Sequence, residues 1–454
     1  MVPTCDRVIR GDLVLAGEIL EDGSLGVTDG RIAVIRGTGE STPPTRKVFD
    51  YAGRYVMPGV VDTHVHAGSF LTESIRTTTA AAAAGGVTTI VDMPYDRGKP
   101  VMGRSRFDEK VREVQAEAVV DVGLYGTIAK IGGLGAIQGL IDAGACAFKF
   151  SLYEYDARRF PRIDDGDLVA AFEMLSAPAV PIVLHSELQE VVERLLSNAL
   201  ELAEEKDPYA HGRTHPPVSE TAAVAKVLEF ARATGARVHV AHCTLPDTFD
   251  LIEYFAGRGA LVSGETCVHY LVLSEGDVAR LGSIAKVNPP IRDDAAREGL
   301  WRALRAGRVA TVSTDHAAWP YETKDQPILR ASAGTPGLET FLPLMVTEAR
   351  RRMVPLPEIL RYVALQPAEI FGLADRKGQL QEGLDADVAV FDARQPWSFS
   401  AAGSVTNAKW SPFDGRELAG RVEATFVRGE VVYDGERVVG EPGCGRWLRR
   451  STPP

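Results

Sequence analysis

The sequence predicts an α/β protein. A (β/α)8 TIM barrel spans residues 55–379, and a small β-sandwich domain is built from both chain ends, residues 1–54 and 380–454. Three observations carry this. Eight short runs rich in Val and Ile recur through the middle of the chain, with helical periodicity between them, which is the pattern of βα units around a parallel sheet. Both ends are instead made of short apolar pieces punctuated by Asp-Gly and Arg-Gly turn signals. No GxGxxG follows any of the eight runs, so a doubly wound dinucleotide-binding sheet, the alternative architecture, lacks its signature.

Along the chain, the N-terminal pieces are 13–15, 24–27 and 32–35, separated by Asp22-Gly23 and Asp29-Gly30. Barrel strands are expected at 55–61, 86–92, 119–127, 146–152, 181–185, 236–242, 261–265 and 308–314. Helices are expected at 73–84, 133–143, 167–175, 187–204, 220–234 and 247–255, where apolar residues return at three- and four-residue spacing. The C-terminal pieces are 386–391 and 421–427, the latter turning at Arg428-Gly429-Glu430 into 431–433. Similar texture at both ends suggests that they pair into one unit and bring the termini together.

Composition removes whole classes. At 45% hydrophobic and 24% charged, the chain is an ordinary globular protein, not a coiled coil, collagen or disordered tail. No apolar run is long enough for a membrane span, and the charged first twenty residues do not read as a signal peptide. A net charge of −11 argues against nucleic-acid binding. The cysteines (Cys5, Cys146, Cys243, Cys267 and Cys444) are sparse and form no CxxC, which fits a reducing cytoplasm and excludes a cysteine zinc site.

Active sites of (β/α)8 barrels lie at the C-terminal ends of the strands, so ionisable residues there are the test. The first strand leads into His64-Val65-His66, whose i, i+2 spacing on extended chain places both rings on one face. Lys149 sits inside the fourth run between Phe148 and Phe150. His185 ends the fifth, His242 the sixth, and Asp315 follows the eighth. Each alone has a bland explanation: a buried histidine pair, a snorkelling lysine, a helix-capping aspartate. Their convergence on one rim points to a metal centre. Imidazole and carboxylate ligands without cysteine suit zinc, manganese, iron or cobalt.

The residues 56–66, Val-Met-Pro-Gly-Val-Val-Asp-Thr-His-Val-His, resemble the opening signature of the amidohydrolase superfamily. Further matches run almost the length of the chain: Gly85-Gly86-Val87-Thr88-Thr89, Phe148-Lys149, Glu265-Thr266-Cys267, Pro289-Pro290-Ile291-Arg292, Thr314-Asp315-His316 and Pro336-Gly337-Leu338-Glu339-Thr340. Together they resemble the cyclic-amidase branch of dihydroorotases, allantoinases, hydantoinases and dihydropyrimidinases. The resemblance implies two divalent metal ions, zinc first, held by His64, His66, His185, His242, Asp315 and an N-carboxylated Lys149. An ammonium has no lone pair to offer a metal, whereas a carbamate offers two oxygens. The implied reaction opens a cyclic amide through a metal-bridging hydroxide, with Asp315 carrying the proton to the leaving nitrogen. Tyr153 or Tyr155 would hold the oxyanion, and Asn288 and the backbone of Gly337 would meet the ring. The partner is then a small-molecule substrate, with no nucleic acid and no membrane, and the assembly a homotetramer or homodimer.

Which ring is opened is less determined. Dihydroorotases carry an arginine two residues after HxH, where this chain has Gly68. The segment 159–163 is similar to allantoinases, but Asp96, Ser151 and Ala318 depart from their pattern. Ureides and hydantoins lead, with dihydropyrimidines and cyclic imides as alternatives. A scaffold homologue without catalysis is disfavoured because all six ligand positions are filled. Loops 67–74, 95–100 and 153–162 are expected to set substrate choice, and they contain Arg97, Lys99, Arg158, Arg159 and Arg162. His239 is out of phase with His242 and is expected to be a satisfied core histidine. His269 and His316 are expected to support the site, His211 and His215 to be structural, and Glu187 either to orient a ligand or to start a helix. Cys243 and Cys267 are expected to be buried and inert.

Overall fold

The computed structural model describes residues 4–70 and 72–451, so Leu71 of the 67–74 loop lies outside the described residues. Eight parallel strands form the barrel: β1 (Val60–Val65), β2 (Val87–Asp92), β3 (Asp121–Gly126), β4 (Ala147–Ser151), β5 (Ile182–His185), β6 (Val238–Val240), β7 (Val262–Cys267) and β8 (Thr311–Ser313). Every residue of β1, β2, β3, β4 and β5 is buried, which is why these runs read as continuous rather than alternating. Adjacent strands follow one another around the ring from β1 to β8. The last seam is closed by a bridge between Val65 and His316 and by Asp62, which accepts hydrogen bonds from Thr314 Oγ1 (2.6 Å) and Thr314 N (3.3 Å).

The first barrel strand is the one element whose expected position moves. Residues 55–61 are divided between two sheets. Val48–Pro58 is a strand of the terminal sheet, and β1 begins at Val60. The chain changes sheets at Gly59, where a Cβ would lie 2.1 Å from Thr88 Oγ1. Only glycine leaves room there for the Thr88 side chain. The other strands lie within the expected spans or a few residues from them. Five of the six expected helices appear as α-helices with shifted ends, for example Ile75–Ala84, Pro217–Thr234 and Pro246–Ala256; the sixth, 133–143, opens as a 3-10 turn before Ile137–Ala143. The helix Arg104–Glu117 between β2 and β3 escaped the sequence reading, because its buried face is only Phe107, Lys110 and Val114 in an otherwise charged stretch.

The chain ends do share one sheet. Its seven strands run in the order Glu430–Tyr433, Arg421–Val427, Val388–Asp392, Val48–Pro58, Arg7–Val14, Ile19–Thr28 and Arg31–Arg36. Val48–Pro58 joins the two ends, pairing with Arg7–Val14 on one side and Val388–Asp392 on the other. Side chains alternate across it. Val388 and Val390 pack with Ile9, Leu25 and Phe426 in a core of the sheet's own, while Ala389 and Phe391 join the large cluster that fills the barrel wall. A separate ribbon pairs Trp397–Ser398 with Glu417–Leu418. Buried Lys377 ties sheet to barrel, reaching Asp121 of β3 at 2.6 Å, Asp387 at 2.7 Å and Asp385 at 2.9 Å. The tail returns to the barrel as well, with Trp447–Leu448 alongside β3. No helix among the described residues is long and apolar enough to cross a membrane.

Candidate metal centre

The rim of the barrel brings the six expected ligands to one cavity: His64, His66, Lys149, His185, His242 and Asp315 all line it. Asp315 Oδ1 stands 3.2 Å from His64 Nε2 and 3.3 Å from His66 Nε2. Ligand atoms of these three residues lie within 4.8 Å of one another. On the other side, His185 Nδ1 and His242 Nε2 face each other at 2.9 Å. The His64 and His242 rings are 5.3 Å apart, so the two groups form one cluster.

Carboxylates outside the cluster set the rings. Glu265 of β7 accepts from His64 Nδ1 at 2.8 Å, which leaves Nε2 turned to Asp315. Glu187 takes His185 Nε2 at 2.8 Å, leaving Nδ1 turned to His242. A carboxylate on the far nitrogen is the usual way to fix the tautomer and orientation of a metal-binding histidine. His215 Nδ1 in turn holds Glu187 at 2.8 Å. In the sequence, Glu265 stands out only as part of the Glu265-Thr266-Cys267 motif. A carboxylate inside a buried strand must find a partner, and that signal was available. Glu187 orients a ring and is not a helix residue, since the following helix starts at Gln189.

Two backbones are strained at this rim. His242 and Asp315 both adopt left-handed conformations, with φ of 41° and 47°. Such residues cost of order 1–3 kcal/mol and cluster at functional sites. Here they turn the chain just past the ends of β6 and β8.

The electrostatics suit cation binding. Burial lowers the pKa of His66 to about 4 and holds His242 well below the ordinary range, so both rings are neutral and have lone pairs to offer. Burial would raise Asp315, but the neighbouring His64 and His66 outweigh it and its carboxyl is held low, an anion. Lys149 Nζ is buried without a hydrogen-bond partner, and burial lowers its pKa to about 8. An unpartnered buried amine among neutral imidazoles and a carboxylate is costly as it stands. His64, His66 and Asp315 offer a donor set that fits a divalent cation, with the facing His185 and His242 beside it.

The four expected substrate contacts divide. Tyr155 and Asn288 line the cavity, and the Tyr155 hydroxyl lies 3.1 Å from His185 Nε2. Asn288 Oδ1 is buried without a partner. Tyr153 is not in the lining; its ring packs 5.0 Å from Tyr155 and 6.3 Å from His215. The Gly337 N–H is committed to His316 Nδ1 at 3.1 Å, so His316 supports that loop. His239 is satisfied by Ser263 Oγ and Thr311 Oγ1, at 2.7 and 3.1 Å, as its phase predicted. Cys243 and Cys267 are buried, and burial pushes both thiols up, away from reactivity. Ser69, Tyr95 and Phe160, from the three loops expected to set substrate choice, complete the walls together with Trp319, which sequence reasoning missed because it carries no chemical signature of its own.

Comparison with known proteins places the chain in a family. The amidohydrolase family profile matches residues 55–432. An allantoinase of Deinococcus radiodurans is 33% identical over 98% of this chain and 98% of its own, and an L-hydantoinase of Paenarthrobacter aurescens is 31% identical with the same coverage. The solved structure of the L-hydantoinase (dihydropyrimidinase) from Arthrobacter aurescens superposes with a TM-score of 0.93 at 31% identity, covering 98% of this chain and all of that one. Matched along both barrel and terminal sheet, the chain belongs to the amidohydrolase family.

Proposed function

We propose that the protein is a metal-dependent hydrolase that opens the ring of a cyclic amide of the ureide or hydantoin type. The observation that carries this is the cluster itself: four imidazoles, one low-pKa carboxylate and one unpartnered amine around a single cavity. The names of its relatives, allantoinase and L-hydantoinase, supply the substrate class. Two divalent ions, zinc first and manganese, iron or cobalt otherwise, would be held by His64, His66, His185, His242, Asp315 and carboxylated Lys149. When bound, such ions lower the pKa of water and polarise a carbonyl oxygen.

The chain's own residues then do the rest. The neutral Lys149 amine adds to carbon dioxide, forming a carbamate and releasing one proton. Asp315, ionised at neutral pH, accepts a proton from the attacking water and delivers it to the departing ring nitrogen. The Tyr155 hydroxyl, which lines the cavity, would donate to the carbonyl oxygen as it gains charge. Asn288 Oδ1 is free to accept from a ring N–H. Phe70, Trp319, Tyr95 and Phe160 wall the cavity against water.

In organisation, we read residues 55–379 as the catalytic unit and 1–54 with 380–454 as a supporting one, with the strand Val48–Pro58 running across the border. Net charge and sparse cysteines fit a cytoplasmic enzyme, working as a tetramer or dimer. The test is a panel of allantoin, hydantoin, substituted hydantoins, dihydrouracil and succinimide against metal-loaded protein. Ring opening should occur for at least one ureide or hydantoin, stop on chelation and return with metal. A fully loaded protein that opens none of them would favour the scaffold alternative.

A further inference from the structure

The cavity lined by the candidate ligands does not end at its aromatic walls. Ser69, Phe70, Arg159 and Trp319 line it and also line a second cavity at its mouth, which adds Arg97 and Arg158. This vestibule is basic in a chain whose net charge is −11. Among the described residues, none of its three arginines pairs with a carboxylate, whereas the nearby Arg106 and Arg162 pair with Asp96 and Glu190. The one acid in its lining, Asp156, accepts the Arg158 and Arg159 backbone N–H groups at its Oδ1, both at 2.9 Å, and its single charge offsets only part of the three cations.

Arg159 is also held in place. Its Nη1 donates to Ser69 O at 2.9 Å and to Tyr95 O at 3.4 Å. Ser69 Oγ is 3.3 Å from His66 Nδ1, so the guanidinium stands two contacts from the His64, His66 and Asp315 cluster. The apolar walls beside it are Phe70 against Trp319, with ring centres 4.3 Å apart, and Tyr95 stacked on Phe160 at 3.6 Å. The neighbouring position 68 offers no competing site: a Cβ on Gly68 would meet Asp96 Oδ1 at 2.5 Å, and Asp96 is fixed by Lys110 and Arg106.

Resting on the reading that the site opens a cyclic amide, we propose that the preferred ring bears an anionic substituent, a carboxylate set off by a short aliphatic arm, and that Arg159 receives it with Arg97 and Arg158 steering it in. Cations gathered at the mouth of a cleft concentrate anions and speed their entry. A planar guanidinium already anchored through one nitrogen offers its remaining donors to a carboxylate in fixed geometry.

The test uses metal-loaded protein and a matched pair, the hydantoin with a carboxyethyl arm and its carboxamide twin. The acid should be favoured in kcat/KM by about 10–100-fold, as a hydrogen bond to a charged group warrants. The preference should lie in KM and shrink as salt rises. Arg159→Gln should collapse the ratio towards one. The exposed double substitution Arg97→Gln, Arg158→Gln, which does not disturb packing, should lower the ratio less and remove its salt dependence. A carboxamide opened as well as the acid, or a ratio that survives Arg159→Gln, would overturn the proposal. If neither ring is opened, the ring-opening reading fails, and calorimetric binding still decides this one: the acid should bind more tightly than its twin, and equal affinity would refute it.

Discussion

Replacing Glu187 by glutamine should weaken metal binding while leaving the fold in place. Glu187 is fully buried, with one oxygen 2.8 Å from His185 Nε2 and the other 2.8 Å from His215 Nδ1. Burial would raise its pKa, but the two rings outweigh that and hold it below the ordinary carboxylate range. It is therefore an anion at neutral pH that accepts from both rings. Glutamine keeps the volume but has one acceptor and one donor, so only one ring can go on donating. The other must change tautomer or lose its partner. A hydrogen bond to a charged group is worth about 1.5–3 kcal/mol. At 1.4 kcal/mol per decade that is roughly 10–100-fold, the range typical of groups that orient ligand histidines. Competition against a chromophoric chelator reads the affinity, and circular dichroism reads the fold. The same substitution should flatten the acid limb of stability. Because the folded pKa is depressed, the wild-type contribution is complete above the unfolded value of 4.5 and is lost as pH falls through the lower folded one. Folded Glu187→Gln protein with wild-type metal affinity would refute the orienting role.

Four further outcomes are expected. Asp315→Asn should keep its left-handed backbone, which asparagine tolerates, and retain metal, while turnover falls by about 10²–10⁴-fold; near-full turnover would remove Asp315 as proton carrier. Lys149→Ala should lose at least one metal by elemental analysis and recover part of its activity with small carboxylic acids. Apoprotein given metal at fixed dissolved carbon dioxide should activate about tenfold faster at pH 9 than at pH 7, because burial places the amine near 8 and only its neutral form reacts; an unmodified lysine in active, loaded enzyme, read by mass, would sink the carbamate. Gly59→Ala should lower stability by about 1–3 kcal/mol in thermal melts, since its Cβ would meet Thr88 at 2.1 Å, and an unchanged melting temperature would show that the sheet switch yields easily.

Much of the site was legible because strand geometry makes position follow from spacing. In a parallel barrel every strand runs the same way, so residues at strand ends gather at one rim whatever their separation in sequence. His64, His66, Lys149, His185, His242 and Asp315 could be assembled on that ground alone, and their shared cavity follows it. The pairing of the chain ends was legible from their matching texture, and the phase of His239 from a period of two. The helix Arg104–Glu117 was not, because a helix that buries two apolar residues and a lysine leaves almost no periodic trace.

What the sequence determined by itself was the barrel, the rim and the chemical types of the groups on it, because those depend on local periodicity and on which atoms can bind a cation. The tertiary structure alone decided which groups meet. Glu265 stands 201 residues from His64 and Thr314 stands 252 from Asp62, and no local rule joins them. It also decided that Gly337 is committed to His316, that Asp96 closes position 68, and that Arg162 pairs with Glu190 while Arg159 faces the cavity. The physical reason is one of range: periodicity is set by the neighbours along the chain, but the partner of a buried polar group is whatever the folded chain brings within hydrogen-bond reach.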